Sequence, residues 1–336
     1  DHNIPRMGCV SEYQVSTKKK WRTFFARYWF LVMLVLMIPC GIWFPEGGKT
    51  IKSTGWVTPT LVGIMMGISG FTLNTSKLQS QAANLGAIGL VLISIYFIAP
   101  LTAYCLAITL QPENNPHFLS AVMILAAQAS SLASALALTV LSRGNQEIAL
   151  IFTLLSSSLT VIMTPLILKL SLGANVEFPV VNMTLKMLQI VILPVVLGQI
   201  ARRFLWEKSQ PFIIGIRFAP QMIILVFVYS GFSVATSQIQ GNTEIFLRIT
   251  LISALLHIIL LIWNYTMCLL LRFNSATSTA VVFSGSQKTL PNGIYLWEKF
   301  FGDNPIGALP LAIYHLIQLV VDTLLVPFFE NRNNKD

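Results

Sequence analysis

The feature that most restricts the fold is a succession of apolar segments, each near the roughly 20 residues that a helix needs to cross a bilayer. Short polar stretches separate these segments, which leaves no room for a sizeable soluble domain. Only 10% of the residues are charged and 54% are hydrophobic, whereas a soluble domain is about 25% charged. We therefore predict an all-α, polytopic membrane protein and exclude a soluble enzyme. The ten predicted spans are Trp29–Phe44, Trp56–Leu73, Leu85–Leu110, Phe118–Leu141, Ile148–Leu172, Val180–Ile200, Phe212–Ser237, Ile245–Leu271, Ala276–Phe301 and Pro305–Phe329.

Lysine and arginine in the connecting segments predict the orientation of the chain. One side carries fourteen of these residues, in the N-terminal arm 1–26 and its junction, in the C-terminal tail 331–336, and at Lys77, Arg143, Arg202, Arg203, Lys208 and Arg272. The other side carries four, at Lys49, Lys52, Lys169 and Lys299. Both termini should therefore be cytosolic, in a plasma or inner membrane. The net charge of +9 is then a signal of topology, and nucleic acid is not an expected partner.

The ten spans predict two repeats of five, over residues 27–172 and 173–330. Pro59 is followed ten residues later by Ser69-Gly70-Phe71, and Pro220 is followed ten residues later by Ser230-Gly231-Phe232. Three further matches at nearly the same offset are Pro39 with Pro194, Gln128 with Gln287, and Pro165 with Pro327. Because five is odd, the second repeat must enter the membrane from the opposite side. Inverted repeats of this kind are typical of secondary transporters.

Two spans at corresponding positions in the repeats are predicted to be interrupted. The fourth contains Ala126-Ala127-Gln128-Ala129-Ser130-Ser131, and the ninth contains Ser284-Gly285-Ser286-Gln287-Lys288-Thr289-Leu290-Pro291-Asn292-Gly293. Pro291 removes a backbone donor, and the glycines allow non-helical backbone angles. A broken helix at membrane depth requires protein or water to satisfy its freed backbone groups. Such segments can coordinate cations through carbonyls and anions through helix N-termini. A simple kink, with serines bonded back to the helix, is the alternative.

Lys288 is the basic residue that the sequence places deepest in the membrane, so we expect it to have a buried partner. His315, Gln318 and Asp322 lie on one face of the tenth span. A Lys288–Asp322 ion pair is the preferred hypothesis, either as a structural link or as an element that titrates during transport. Thr153 and Ser157 form part of a weaker polar stripe on the fifth span, for which helix packing is the more usual role. No metal-binding, hydrolase or ATP-binding motif points to an enzyme.

Three segments carry a resemblance to a known family. They are Gly67-Ile-Ser-Gly-Phe-Thr-Leu-Asn74, Ser142-Arg-Gly-Asn145 with the downstream Thr164-Pro165-Leu166, and Ser286-Gln-Lys-Thr-Leu-Pro291. From about Phe24 to Glu330 the chain resembles the bile acid:sodium symporter superfamily, in particular its sodium/bile acid cotransporter 7-like branch. The resemblance implies a panel of spans 1, 2, 6 and 7 beside a core of spans 3–5 and 8–10. It also implies that spans 4 and 9 are unwound and cross near the substrate site.

The chain departs from that family where sodium-coupled members bind the ion. Phe283 stands where they have an acidic residue, and Ala135 and Leu136 stand where they have polar ones. Thr153 and Gln287 keep suitable side chains. The resemblance thus leaves Na+ as one possible coupling ion, with H+ or no ion as alternatives, and the charge of Lys288 could replace a bound cation.

We therefore expect a secondary-active transporter that moves a small organic anion by alternating access. The predicted binding residues are Gln128, Ser130, Ser131, Thr153, Ser157, Gln287, Lys288, Thr289 and Asn292, with Lys288, His315 and Asp322 as coupling or ion-pair residues. No cofactor other than a coupling ion is expected. The alternative is a membrane regulator of calcium homeostasis that transports little or nothing. A polar cavity at the two interrupted helices would favour transport over regulation.

Overall fold

A computed structural model describes residues 29–73, 84–112, 115–173, 179–241 and 243–334. Within these ranges all regular elements are helices. The N-terminal arm 1–26 and Lys77 lie outside the described residues. The helices are α1 (Trp29–Trp43), α2 (Pro45–Ser53), α3 (Val57–Thr72), α4 (Leu85–Leu110), α5 (His117–Ala126), α6 (Leu132–Leu141), α7 (Gln146–Leu172), α8 (180–209), α9 (Ile213–Gly241), α10 (Thr243–Leu270), α11 (Ser275–Ser286), α12 (Pro291–Phe300) and α13 (Leu309–Asn333).

Five helical runs in the described ranges are long and apolar enough to cross a membrane, namely α4, α7, Val180–Thr236, α10 and α13. The bent pair α1 and α2 makes a sixth if it is one span. Large apolar side chains on these runs point outward, for example Phe97, Leu170 and Leu324, which are 63%, 74% and 75% exposed. Such a surface suits lipid rather than water. The full count of ten spans and the inverted repeat stay predictions.

The first predicted span is followed by a second helix, α2, which the sequence did not predict. The axes of α1 and α2 differ by 88°, and Pro45 stands at the start of α2. The fixed φ of proline suits the first turn of a helix but its ring cannot continue the preceding one. The glycines of α2 let it lie close to α9, because a Cβ on Gly48 would come within 2.3 Å of the Ser233 side chain.

Helices α3 and α8 pack with their backbones almost in contact. A Cβ on Gly70 would lie 2.2 Å from the carbonyl oxygen of Val195, and one on Gly198 would lie 2.1 Å from that of Gly67. Small residues allow such close approach between membrane helices. Gln199 and Arg202 then donate hydrogen bonds from α8 to carbonyls at the end of α3. The two helices therefore form one tightly joined unit.

Both spans that the sequence marked as interrupted are broken in the structure. The fourth ends its first half at Ala126 and begins its second half at Leu132. The ninth ends its first half at Ser286 and resumes at Pro291. These gaps, 127–131 and 287–290, are called here the first and second breaks. The prediction of unwound segments is confirmed, and the kink alternative is wrong for both.

Candidate functional site

The two breaks lie against each other in the interior. The backbone N–H of Thr289, in the second break, donates to the carbonyl of Ala129, in the first, at 2.9 Å. Gln128, Ser130 and Gln287 are completely buried, and Lys288 is 1% exposed. Two segments 160 positions apart in the sequence therefore share one site. Its backbone groups must be satisfied by each other or by nearby side chains.

The end of α5 offers carbonyls that the helix itself cannot satisfy. The Lys288 ammonium takes two of them, with Nζ 2.9 Å from the oxygen of Ala126 and 3.0 Å from that of Gln128. Its third hydrogen goes to the oxygen of Ile95 at 2.9 Å. Ile95 belongs to a π-helical turn of α4, Ser94–Ile98, where the regular hydrogen-bond pattern is interrupted. All three donors of the ammonium are thus used by backbone carbonyls.

The predicted Lys288–Asp322 ion pair is wrong. Gln287 has extended backbone angles, φ −79° and ψ 149°, so successive side chains of the second break point to opposite sides. The Gln287 amide nitrogen reaches Asp322 Oδ2 at 2.6 Å, while Lys288 reaches α4 and the end of α5. The sequence placed the two charges in neighbouring elements but could not show that the break directs them apart.

Asp322 instead contacts a buried histidine on another helix. His257 Nε2, on α10, lies 3.0 Å from Asp322 Oδ1, and both side chains are 0% exposed. The other ring nitrogen of His257 is 3.3 Å from the Tyr314 hydroxyl. Gln287 joins this pair to α6, because its Oε1 lies 2.6 Å from Ser134 Oγ. A buried network therefore links α6, α10, α13 and the second break.

Gln318, on α13, holds the second break in place through two hydrogen bonds to the backbone of Lys288. The Lys288 N–H donates to Gln318 Oε1 at 2.8 Å, and Gln318 Nε2 donates to the Lys288 carbonyl at 3.0 Å. This fixes the orientation of the amide, because a backbone N–H can only donate. Gln318 Nε2 is also 2.9 Å from His315 Nδ1. Nδ1 must therefore be the acceptor, and His315 is the neutral tautomer with its hydrogen on Nε2.

A cavity of about 750 Å³ adjoins the breaks. One wall is formed by α3, α8 and α9, and the other by α6 and α7. Its inner end contains Ser130, Ser131, Thr289, Pro291 and His315. The opposite end contains Val140 and Leu141, each 46% exposed, so the cavity reaches the surface there. That end adjoins the 142–145 connection, which the sequence placed on the cytosolic side.

Two hydrogen-bonding groups at the inner end of the cavity have no partner in the part of the chain that the structure describes. His315 Nε2 and Ser130 Oγ are buried and unpaired among the described residues. Helices α6 and α12 also begin here, so the positive ends of two helix dipoles adjoin the cavity. The arrangement presents hydrogen-bond donors and positive potential, with apolar walls above. Such a site is chemically suited to a negatively charged oxygen on an otherwise apolar molecule.

The structure separates the predicted binding residues into two groups. Ser130, Ser131, Ser157, Thr289 and His315 line the cavity. The others lie behind its wall: Gln128, Thr153, Gln287, Lys288, Asn292 and Asp322 are all buried. Thr153 donates to the carbonyl of Leu150 within its own helix. Lys288 therefore contributes positive charge at the site from behind the cavity surface, without contacting its contents.

The sequence reasoning missed two polar residues of the cavity wall. Arg202 lies near the opening, with its guanidinium 3.6 Å above the Trp206 ring. Gln221, on α9, has a buried Oε1 without a partner in the described residues. Arg202 had been counted only as a topology signal, and Gln221 follows Pro220, which had been used only for the repeat. Both residues belong to the predicted panel, and this shared location could have identified them as candidates for the cavity wall.

Known proteins match this chain over most of its length. Residues 28–331 match the SBF-like CPA transporter family. A protein of Pseudomonas aeruginosa named "Uncharacterized protein PA2026" is 29% identical, over 90% of this chain and 91% of the relative. Sodium/bile acid cotransporter 7 of Rattus norvegicus is 26% identical, over 89% of this chain and 91% of the relative. The predicted resemblance is confirmed. With its apolar helices, the chain is an integral membrane protein that belongs to the SBF-like CPA transporter family.

Proposed function

We propose that the protein is a secondary-active transporter that carries a small organic anion by alternating access. The observation that carries this proposal is the cavity that ends at the two breaks, where His315 Nε2 and Ser130 Oγ find no partner among the residues that the structure describes. A buried donor without a partner is unfavourable by about 1–3 kcal/mol, so such groups indicate a ligand position. An anionic headgroup satisfies them, and the apolar wall accommodates the rest of the molecule.

Alternating access requires that one side be closed while the other is open. The cavity reaches the predicted cytosolic side, through residues 140–146. On the opposite side, Lys52 of α2 donates to the carbonyl of Gly302 at 3.1 Å and lies 4.3 Å above the Trp297 ring. These contacts join the predicted panel to the predicted core. The arrangement is that of an inward-open transporter, in which the outer contacts must separate before substrate enters from outside.

The proposal is tested with purified protein and a panel of carboxylates and sulfonates of different sizes. We expect at least one class to raise the temperature of thermal unfolding and to accumulate in proteoliposomes. The variant His315→Ala should weaken binding about 10- to 100-fold, because a hydrogen bond to a charged group contributes about 1.5–3 kcal/mol. His117→Ala, at the start of α5 and outside the cavity, is the matched control.

Two outcomes would contradict the proposal. If none of the anions stabilises the protein or enters the liposomes, the transporter assignment fails. The regulator of calcium homeostasis then becomes the better reading, since it needs a partner surface instead of a substrate. If anions bind equally well to His315→Ala and to the unchanged protein, the inner end of the cavity is not the binding site.

A further inference from the structure

The hydrogen-bond partners of Tyr314 determine where protons lie in the buried network. The Tyr314 hydroxyl is 2.5 Å from the carbonyl oxygen of Ser286, the last residue of α11. A carbonyl has no hydrogen to give, so the single hydroxyl hydrogen must point to Ser286. The contact of 3.3 Å between Tyr314 and His257 Nδ1 then requires the hydrogen of the ring nitrogen. His257 is therefore protonated at Nδ1.

The opposite side of the imidazole ring needs a hydrogen as well. His257 Nε2 and Asp322 Oδ1 are 3.0 Å apart, and two lone pairs at that distance would repel. The hydrogen between them is either on the ring, giving imidazolium and carboxylate, or on the carboxyl group, giving neutral imidazole and carboxylic acid. In both cases the pair holds one proton more than a neutral histidine beside a carboxylate.

We propose that His257 and Asp322 form a proton-binding site, occupied in this conformation, and that H+ is the ion coupled to transport. The proposal rests on the proposed function and specifies its driving ion. With the proton bound, the pair has no net charge and the ammonium of Lys288 leaves the interior with one positive charge. An anion entering the cavity meets that charge. Loss of the proton gives the His257–Asp322 pair one negative charge, which offsets the charge of the ammonium. Proton and anion should therefore bind together and move in the same direction.

A proton leaving this pair changes the hydrogen bonds at the second break. The N–H bond at Nδ1 breaks, the proton passes to water, and the remaining hydrogen lies between Nε2 and Asp322. Nδ1 then has a lone pair directed at Tyr314. The hydroxyl hydrogen of Tyr314 must turn from Ser286 to Nδ1, which leaves the last carbonyl of α11 unpaired. Proton release thus loosens the contact between α13 and the end of α11.

A continuous set of contacts joins this pair to the cavity. Ser131, on the cavity wall, lies 2.6 Å from Ser134, which contacts Gln287 at the same distance. Gln287 in turn donates to Asp322. An anion that reorganises Ser131 therefore acts on the group that holds the proton. This contact chain provides a physical link between the two binding events.

Other ionisable groups on the packed elements are already satisfied by different partners. Lys288 donates to three carbonyls, and His315 Nδ1 accepts from Gln318. Tyr96 on α4 donates to the carbonyl of Ser156. Tyr314 is the ionisable side chain that contacts the pair directly, through His257. Within the described part of the interior, protonation of the pair therefore acts on the second break through Gln287 and on the end of α11 through Tyr314.

The proton is detected by NMR of detergent-solubilised protein labelled with ¹⁵N-histidine. The chain has four histidines, and the signals are assigned with His257→Gln, His315→Gln and His117→Gln. We expect His257 to carry a hydrogen on Nδ1 at neutral pH and His315 to be neutral with its hydrogen on Nε2. Tyr314→Phe removes the acceptor for Nδ1–H, so the NMR signature of the hydrogen on Nδ1 of His257 should weaken in that variant.

A neutral His257 with an unprotonated Nδ1 at neutral pH would overturn the proposal. The spectrum requires no transported substrate, so this result is independent of whether any anion is carried. A second measurement follows modification of Val140→Cys by a membrane-impermeant maleimide, in a background without native cysteines. The rate is divided at each pH by that of the same cysteine in unfolded protein, because the thiolate is the reactive form of the thiol. This ratio should change with pH in the otherwise unchanged protein and become independent of pH with His257→Gln or Asp322→Asn. Glu244→Gln, a surface acid on the same helix as His257, is the control. Identical pH dependence in all of these variants would also contradict the proposal.

Discussion

We propose that the side chain of Lys288 stands in for a bound metal cation. Three backbone carbonyls converge on its ammonium at 2.9 to 3.0 Å, and the C-terminal end of α5 adds the negative end of a helix dipole. Carbonyls of unwound membrane helices commonly bind alkali ions. A covalently attached cation would make an external one unnecessary at this place, in keeping with Phe283, which stands where the resemblance implies an acidic residue in sodium-coupled members.

Removing this charge should create a dependence on added salt. In Lys288→Ala the three carbonyls lose their donors, at about 1–3 kcal/mol each, so the thermal unfolding temperature should fall sharply. Na+ or K+ should then restore part of the lost stability by entering the vacated position. The exposed Lys299→Ala is the control, with little expected change. Equal unfolding temperatures with and without salt in Lys288→Ala would refute the stand-in role of the ammonium.

At the scale of the elements, the two breaks differ in local sequence, but both are held by side chains of other helices that bond to their backbone. The second is flanked by Gly285 and Pro291, whereas the first reads Ala-Gln-Ala-Ser-Ser and has neither proline nor glycine. The first break is held by tertiary contacts, including Thr164 Oγ1 to the carbonyl of Ala127 at 2.6 Å. Side chains from other helices thus replace the missing helical hydrogen bonds.

The second break should therefore depend more on Gln318 than on its proline. Gln318→Leu removes two hydrogen bonds to the Lys288 backbone and should lower the free energy of unfolding by about 2–4 kcal/mol. Pro291→Ala adds a donor at a first-turn position, where helices leave N–H groups unpaired, and should change it by less than about 1 kcal/mol. Both are measured by thermal unfolding. A larger loss with Pro291→Ala would show that the proline determines the break.

The sequence predicted the elements of this fold better than their contacts. Apolar periodicity located most helix ends to within a few residues, and the polar composition of residues 126–134 and 284–293 located both breaks. It did not predict α2, because Glu46 and Lys49 resembled a surface loop. It also misassigned the partners of Lys288 and Asp322, because the direction of a side chain in an unwound segment depends on local backbone angles, which composition does not encode.

For the molecule as a whole, the proposed balance between inward-open and outward-open conformations should depend on contacts on the side away from the cavity. Lys52 connects α2 to the segment after α12, through the Gly302 carbonyl and the Trp297 ring. Lys49 on the same helix contacts only Glu46 among the described residues. The two lysines thus provide a matched pair, one that bridges the closed side and one that does not.

Lys52→Ala should shift the protein toward its outward-open state. Loss of one charge-assisted hydrogen bond corresponds to about 1.5 kcal/mol, or roughly a tenfold change in the ratio of the two conformations. Maleimide modification of Val140→Cys, which reports the cytosolic opening, should slow accordingly. Lys49→Ala should leave the rate unchanged. Equal rates in Lys52→Ala and Lys49→Ala would mean that the outer contact does not hold the transporter closed.

The carbonyl ligands of Lys288 also bear on how the protein is made. A lysine at the centre of a helix opposes insertion by about 2.5–3.5 kcal/mol, and the ninth span must enter the membrane with this residue in it. The carbonyls that bind Lys288 belong to residues at least 160 positions earlier in the chain, namely Ile95, Ala126 and Gln128. The ribosome therefore synthesises the predicted spans that contain them before it reaches the lysine. Asp322 is synthesised afterwards. The ammonium of Lys288 can therefore form its hydrogen bonds with carbonyls of spans that are synthesised earlier. Its insertion does not depend on the last helix.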